Sequence, residues 1–114
     1  MRCFWAVRKP IGRLGQRVIT VQHTVLVGVT PPMLLWWFQH FDGTMTVRGQ
    51  TVPMHQGWHP VDHVRMSITH KSAEGLSQVG STLHVIEYQG GDGGVYFDKR
   101  ARVEKLDEGG MTLA

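Results

Sequence analysis

The one helix that this sequence predicts lies in TPPMLLWWFQHF, residues 30–41. Thr30 is a preferred N-cap residue, and Pro31 suits the first helical position because the N–H that proline lacks has no intrahelical partner there. Apolar side chains then recur at the three- and four-residue spacing of a helix face. They are Met33, Trp37 and Phe41, with Leu34 and Phe38 beside them. Asp42 and Gly43 follow and are predicted to end the helix.

Most of the remaining chain has the pattern of strands and turns. Strands are predicted at residues 18–27, 44–52, 62–69, 83–88 and 95–106. Residues 71–81 are polar and predict a loop, and the glycine-rich residues 89–94 predict a hairpin turn. We predict one domain over residues 1–114, with an irregular basic lead-in at residues 1–15 and a tail that starts at residue 108. One helix against a mostly antiparallel sheet is an α+β fold.

Two of the predicted strands carry polar residues of interest. Alternation over residues 62–69 divides the side chains between two faces. The apolar face has Val64, Met66 and Ile68, and the other face has His63, Arg65, Ser67 and Thr69. In the later strand, Leu83 and Val85 share a face with Glu87. This predicts a carboxylate on an otherwise apolar surface.

Composition narrows the class of protein. The net charge is +3 with neutral histidines, and the cations are scattered along the chain. Scattered charge is typical of a solvated surface, so we predict no nucleic-acid partner. Cys3 is the only cysteine, so no internal disulfide is possible and nothing points to secretion. No apolar run approaches the roughly 18 residues of a membrane span, which predicts a cytoplasmic protein.

The densest group of candidate functional side chains is WHPVDH, residues 58–63. His59, Asp62 and His63 put two imidazoles and a carboxylate within five residues, and both groups are common zinc ligands. Pro60 biases the residue before it toward extended geometry. In an extended run, side chains four residues apart point the same way. His59 and His63 are therefore predicted to face one side.

Glu87 is the second candidate feature. A carboxylate on an apolar face must be exposed at the strand end, paired, or bound to a cation. One hypothesis takes His59 and Glu87 as metal ligands, with His63 as a third candidate. Asp62 then orients a ligand or contacts the substrate. In the alternative, the histidines are ordinary structural residues and Glu87 pairs with an arginine.

Two motifs together resemble the 2,4-diacetylphloroglucinol hydrolase family. They are TPPMLLWWF at residues 30–38 and WHPVDH at residues 58–63, followed by a strand that ends in a glutamate. The similar region covers residues 25–107. The resemblance implies a Bet v 1-like helix-grip fold, in which a curved sheet holds a cavity. It implies hydrolysis of a carbon–carbon bond in a small aromatic ketone, an acylated phloroglucinol, with a zinc held by two histidines and two glutamates.

The resemblance also implies roles for particular residues. His59 matches the first histidine ligand and Glu87 the first glutamate. Asp62 falls where the family hydrogen-bonds a substrate oxygen, and it or a histidine such as His63 delivers the proton that cleavage needs. His63 either supports this motif or replaces His59 as the ligand. The residues expected to line an aromatic substrate pocket are Trp36, Trp37 and Trp58.

The chain departs from the family pattern after the last predicted ligand. The other two zinc ligands of the family come from a His-x-x-x-Glu on a C-terminal helix, and no histidine follows His84 here. We therefore expect the fold to lack that helix. The chain is then a fragment, a partner completes the site, or catalysis is lost. Two other classes stay open: a non-catalytic module for small hydrophobic ligands, and an interaction protein whose exposed sheet pairs with a second copy as a homo-oligomer.

Overall fold

A computed structural model describes residues 4–10, 16–22, 24–58, 60–91 and 94–114, with side chains at 20, 22, 24–58, 60–91 and 94–114. The described residues form eight strands and two helices. In chain order they are β1 (Phe4–Pro10), β2 (Gln16–Gln22), α1 (Pro31–Gln39), β3 (Thr44–Val47), β4 (Gln50–Pro53), α2 (Met54–Trp58), β5 (His63–Thr69), β6 (Thr82–Gln89), β7 (Val95–Asp107) and β8 (Gly110–Leu113). The predicted α+β class is confirmed.

The strands form one six-stranded sheet and one separate hairpin. The order in the sheet is β2-β1-β8-β7-β6-β5, and β3 pairs only with β4. β1 and β8 run parallel, while every other pair is antiparallel. The 13-residue β7 pairs with β6 along its first part and with β8 along its last part. One long strand thus joins the two halves of the sheet.

Both ends of the chain are more regular than the sequence predicts. β1 is a strand within the segment predicted as an irregular lead-in at residues 1–15, and β8 is a strand where a tail is predicted. Both predictions are wrong for these residues, because β1 and β8 pair with each other across the length of the chain as well as with their neighbours β2 and β7. Phe4 pairs with Gln22 on one side and with Gly110 on the other. Residues 1–3 and 11–15 lie outside the described residues.

α1 confirms the predicted helix, with Thr30 at the N-cap and proline at its first position. The Thr30 side chain makes no capping hydrogen bond. Leu34 and Phe38 are buried against the sheet, and Phe41, just beyond the helix end, is fully buried. The core also contains residues from four strands: Met66, Ile68, Leu83, Val103, Met111 and Leu113. Met33 is 56% exposed, so the face that packs on the sheet is rotated from the predicted one.

A β-bulge reverses the predicted orientation of His63. The pairing register between β5 and β6 shifts between His63 and Arg65. A bulge adds one residue to one strand and so offsets the alternation of side chains by one position. His63 consequently shares the buried face with Met66 and Ile68, while Val64 is 48% exposed. The predicted assignment of His63 to the opposite face is wrong for this reason.

The WHPVDH segment also has a different local structure from the predicted extended run. Trp58 is the last residue of α2, a short helix that the sequence pattern does not predict. Residues 60–62 form a turn before β5 begins. The extended geometry is therefore wrong for residues 60–62, and His59 lies outside the described residues. The loop over residues 71–81 and the hairpin between β6 and β7 are confirmed.

No helix in the described part of the chain is both long and apolar enough to cross a membrane.

Candidate functional site

A cavity of about 590 Å³ lies beside α1 and opens to solvent. One wall comes from α1, another from residues 24–29, and a third from the end of α2. The described residues that line it are Leu26, Val29, Pro32, Met33, Leu34, Trp36, Trp37, Gly57 and Trp58. None of these side chains carries a charge. The three tryptophans predicted to form a pocket therefore line one cavity; that the cavity accepts a substrate stays a prediction.

The exposed wall of the cavity is held by a stacked ring. Trp36 is 53% exposed, yet the imidazole of His40 stacks on its indole with a centroid distance of 4.3 Å and an interplanar angle of 27°. The Nδ1–H of His40 also donates to the backbone oxygen of Trp36, 2.7 Å away. One turn of helix separates the two residues, so their side chains lie on the same face. His40 thus limits the orientations open to the Trp36 ring.

Trp58 joins the cavity to the core. It lines the cavity, and its ring meets Phe38 edge to face at 5.4 Å. Phe38 in turn contacts Phe41 at 5.6 Å, and Phe41 lies 6.2 Å from the ring of His63. A continuous chain of aromatic contacts therefore lies between the cavity and His63.

His63 and Glu87 form a close pair at the edge of the core. They are direct neighbours in the β5–β6 register, and the bulge turns His63 toward the face that carries Glu87. The Nε2 of His63 lies 2.7 Å from Oε1 of Glu87. The His63 side chain is 6% exposed and that of Glu87 is 22% exposed. Of the two sequence hypotheses for Glu87, pairing is thus realised, but with a histidine and not an arginine.

The hydrogen bonds of His63 define where its protons lie. Its Nδ1 is 3.1 Å from the backbone oxygen of His55. A carbonyl oxygen only accepts, so Nδ1 carries a proton. A proton also lies between Nε2 and Oε1 of Glu87, because two lone pairs do not approach to 2.7 Å without one.

A second buried histidine adjoins the pair. His55 is 4% exposed, and its ring centroid is 5.8 Å from that of His63. Its Nδ1 has no hydrogen-bond partner among the described residues. Burial lowers the pKa of His55, and the neighbouring His63 lowers it further by charge repulsion. His55 is therefore held in the neutral form beside the pair.

The pair has part of the chemistry of a zinc site. A metal-binding histidine commonly donates its other ring N–H to a backbone carbonyl, as His63 does to His55. Its Nε2 is 2.7 Å from Oε1 of Glu87, so a metal held by both would take the place of the proton between them. Among the described residues, however, no group of three or more histidine, cysteine or acidic side chains is placed to hold a metal. A catalytic zinc needs about three protein ligands, so the described donors fit as two of them.

Asp62 has a bridging position beside this pair. Its Oδ1 accepts a hydrogen bond from the Gly90 N–H at 3.0 Å, and its backbone oxygen accepts one from the Tyr88 N–H at 2.9 Å. The turn at residues 60–62 is thereby tied to the end of β6 and the hairpin that follows. Asp62 does not line the cavity. Its predicted contact with a substrate stays a prediction.

His59 cannot be placed relative to Glu87, because it lies outside the described residues. Its neighbours differ in their surroundings: Trp58 lines the cavity, and Pro60 is exposed. Sequence patterns alone did not single out His55 or Gly57, both of which belong to the unpredicted α2. No local sequence pattern indicates that His55 is buried, because the burial of so short a helix depends on strands that are distant in sequence.

Comparisons with protein-family models, with curated proteins and with solved structures found no match to this chain.

Proposed function

We propose that this protein binds a small, uncharged, flat apolar molecule in the cavity beside α1. The observation that carries this proposal is the lining, in which three tryptophans and five other apolar side chains surround about 590 Å³ with no charged group. Ligand sites are typically concave and mostly apolar, with volumes of roughly 300–1,000 Å³. Indole faces favour flat rings, which they contact by offset stacking or edge to face.

The volume and the lining restrict the ligand further. An apolar cavity of about 150 Å³ is enough to bind benzene. A cavity of about 590 Å³ therefore has room for two or more rings. A charged group inside it would lose its hydration without gaining a partner, which is costly. We therefore assign the ligand to uncharged aromatic or alkyl-aromatic compounds, with any polar substituent directed to solvent.

Two fluorescent probes with the same ring system test this proposal. N-phenyl-1-naphthylamine is uncharged, and 1-anilinonaphthalene-8-sulfonate has the same rings with a sulfonate. We expect the uncharged probe to bind at one site and at least about tenfold more tightly than the sulfonate, since the cavity has no partner for a charge. A protein that binds neither probe, or that favours the sulfonate, would contradict the proposal.

A second candidate function rests on the His63–Glu87 pair. We propose a metal-dependent hydrolase that cleaves a carbon–carbon bond of an acylated, phloroglucinol-like aromatic ketone, in a Bet v 1-like helix-grip fold. The zinc would be held by Glu87 together with His59 or His63. Bound zinc supplies a Lewis acid that lowers the pKa of a water and polarises a ketone. The observation that favours this function is the convergence of Nε2 and Oε1, with Nδ1 already held by a carbonyl.

The chain's own residues would supply the proton. Cleavage of an acyl group from a phenolic ring leaves a carbanion, which a nearby acid must protonate. If His59 and Glu87 held the zinc, the Nε2–H of His63, 2.7 Å from Oε1 of Glu87, would supply this proton; if His63 were itself a ligand, Asp62, which precedes it in the chain, would supply it. His59, which directly follows the cavity residue Trp58, would supply the further ligand.

Metal analysis tests the second candidate separately from probe binding. We expect about one zinc per chain in the parent protein and at least roughly tenfold weaker zinc binding in Glu87→Gln and in His59→Ala. His70→Ala serves as the control, because His70 is an exposed histidine elsewhere in the described structure. Equal zinc content in the parent and all three variants would remove Glu87 and His59 from any metal site.

A further inference from the structure

Gly57 is the only cavity residue in the described lining without a side chain, and space explains why. It lies in α2, in helical backbone that any residue can adopt. A Cβ at this position would lie 3.2 Å from both Cη2 and Cζ2 of Trp37 and 2.5 Å from Cε of Met45. Only the distance to Met45 is below 3.0 Å, where an atom must move aside, and the distances to Trp37 are tight contacts that require the ring to shift by a few tenths of an ångström. Glycine therefore lets the six-membered ring of Trp37 approach the backbone of α2.

The Trp37 ring is held in place by packing. Its Nε1 is buried and has no hydrogen-bond partner among the described residues. A buried indole N–H usually has such a partner, which then fixes the orientation of the ring. Without one, the orientation of Trp37 depends on the atoms against its edges. The contact at position 57 is one of these edges.

We infer that Gly57 determines the size of ligand that the cavity accepts, because it sets how far the Trp37 indole withdraws from the cavity. This inference rests on the proposed binding function. Met45 ends in a flexible methyl group that can move aside, whereas the indole is rigid. A side chain at position 57 therefore pushes Trp37 and also occupies the cavity that residue 57 lines. The cavity loses depth, so ligands with two or more rings are excluded before ligands with one.

The experiment compares a large and a small uncharged probe in the parent protein and two variants. N-phenyl-1-naphthylamine is the large probe, and phenol, measured by its competition with that probe, is the small one. We expect Gly57→Val to weaken binding of the large probe by at least about tenfold. Phenol binding should change by less than about threefold, because one ring needs little depth. We expect Gly57→Ala to weaken binding of the large probe by about threefold and to leave phenol binding unchanged.

A double variant separates the two contacts of residue 57. Met45→Ala combined with Gly57→Ala removes the flexible neighbour and leaves the contact with Trp37. We expect the loss of large-probe binding to persist, because the rigid ring causes it. Circular dichroism establishes that each variant is folded. If Gly57→Val does not fold, the comparison of Gly57→Ala with the double variant of Met45→Ala and Gly57→Ala gives the result.

The outcomes distinguish this inference from the proposed function. A folded Gly57→Val or Gly57→Ala that binds both probes as the parent does overturns the role of Gly57 and leaves the binding function intact. Equal weakening of both probes also overturns it, since size would not be the criterion. A parent protein that binds neither probe overturns the binding function, and the inference with it.

Discussion

Nε2 of His63 lies 2.7 Å from Oε1 of Glu87, across the register of β5 and β6. The bulge after His63 makes this contact possible, since regular alternation would direct the ring to the other face of the sheet. The ring centroid of Phe41 is 6.2 Å from that of His63. The backbone oxygen of His55 accepts a hydrogen bond from Nδ1 of His63. A polar pair is thus built into the margin of an apolar core, where each partner depends on the other.

We predict that Glu87→Ala destabilises the protein by about 1–3 kcal/mol, because it leaves the mostly buried Nε2 of His63 without its partner. Glu87→Gln should cost less, since an amide oxygen can still accept a hydrogen bond. Urea unfolding in the presence of a chelator measures both values without a contribution from metal. Glu108→Ala, which changes an exposed carboxylate, is the control and is expected to stay within about 0.5 kcal/mol of the parent. Equal stability of Glu87→Ala and the control would mean that the pair has no structural role.

Asp62 is predicted to hold the hairpin after β6. Asp62→Ala removes the acceptor of the Gly90 N–H, so we expect hydrogen exchange at this amide to accelerate by about tenfold. Asp107→Ala is a matched control, since Asp107 Oδ1 accepts from the Gly109 N–H at 2.7 Å. The control should accelerate exchange at Gly109 and leave Gly90 unchanged. Unchanged exchange at Gly90 in Asp62→Ala would show that the carboxylate does not hold the turn.

The pH response of Asp98 is set by a histidine on the neighbouring strand. The Nε2–H of His84 donates to Oδ1 of Asp98 at 2.7 Å, and this hydrogen bond lowers the pKa of Asp98. A carboxyl group whose pKa is lower in the folded state stabilises the fold above its unfolded pKa. That contribution is lost as the pH falls through the folded pKa.

Nuclear magnetic resonance titration of the Asp98 side-chain carbon measures this effect. We expect the pKa of Asp98 to rise toward its ordinary value in His84→Ala. In His70→Ala it should not change, because His70 contacts Thr69 and not Asp98. A pKa that is the same in the parent and in His84→Ala would remove His84 as the cause.

The turn between β3 and β4 contains an avoidable strain. Arg48 and Gly49 both have positive φ, at 50° and 79°. This two-residue hairpin turn favours asparagine or glycine at its first position, because other side chains crowd the backbone there. We predict that Arg48→Asn stabilises the protein by about 0.5–1 kcal/mol in urea unfolding.

Arg48→Ala is the control for the removal of charge. Alanine has the same steric penalty at positive φ, so no gain in stability is expected. If both substitutions stabilise the protein equally, the gain comes from the charge and not from the backbone.

Local sequence signals predicted the elements whose stability is mainly local. Thr30 and Pro31 mark the start of α1, and alternation identifies β5 and β6. The local pattern does not predict β1 and β8, each of which pairs with a strand next to it in sequence and with the other at the far end of the chain. Short range patterns contain no information about such pairing.

The sequence predicts the residues of the candidate site better than the contacts between them. The three tryptophans line one cavity, as proposed for aromatic residues near two motifs. Glu87 on an apolar face predicted that a partner must exist. The identity of that partner depends on the bulge at His63, which breaks the alternation on which the prediction relied. The relation of His59 to Glu87 stays a prediction.

Intermolecular nuclear Overhauser effects between N-phenyl-1-naphthylamine and the protein test the central claim most directly. We predict contacts from the probe to the indole protons of Trp36, Trp37 and Trp58, which line the cavity. Contacts confined to another surface, such as the neighbouring rings of Tyr88 and Tyr96 on β6 and β7, would contradict it.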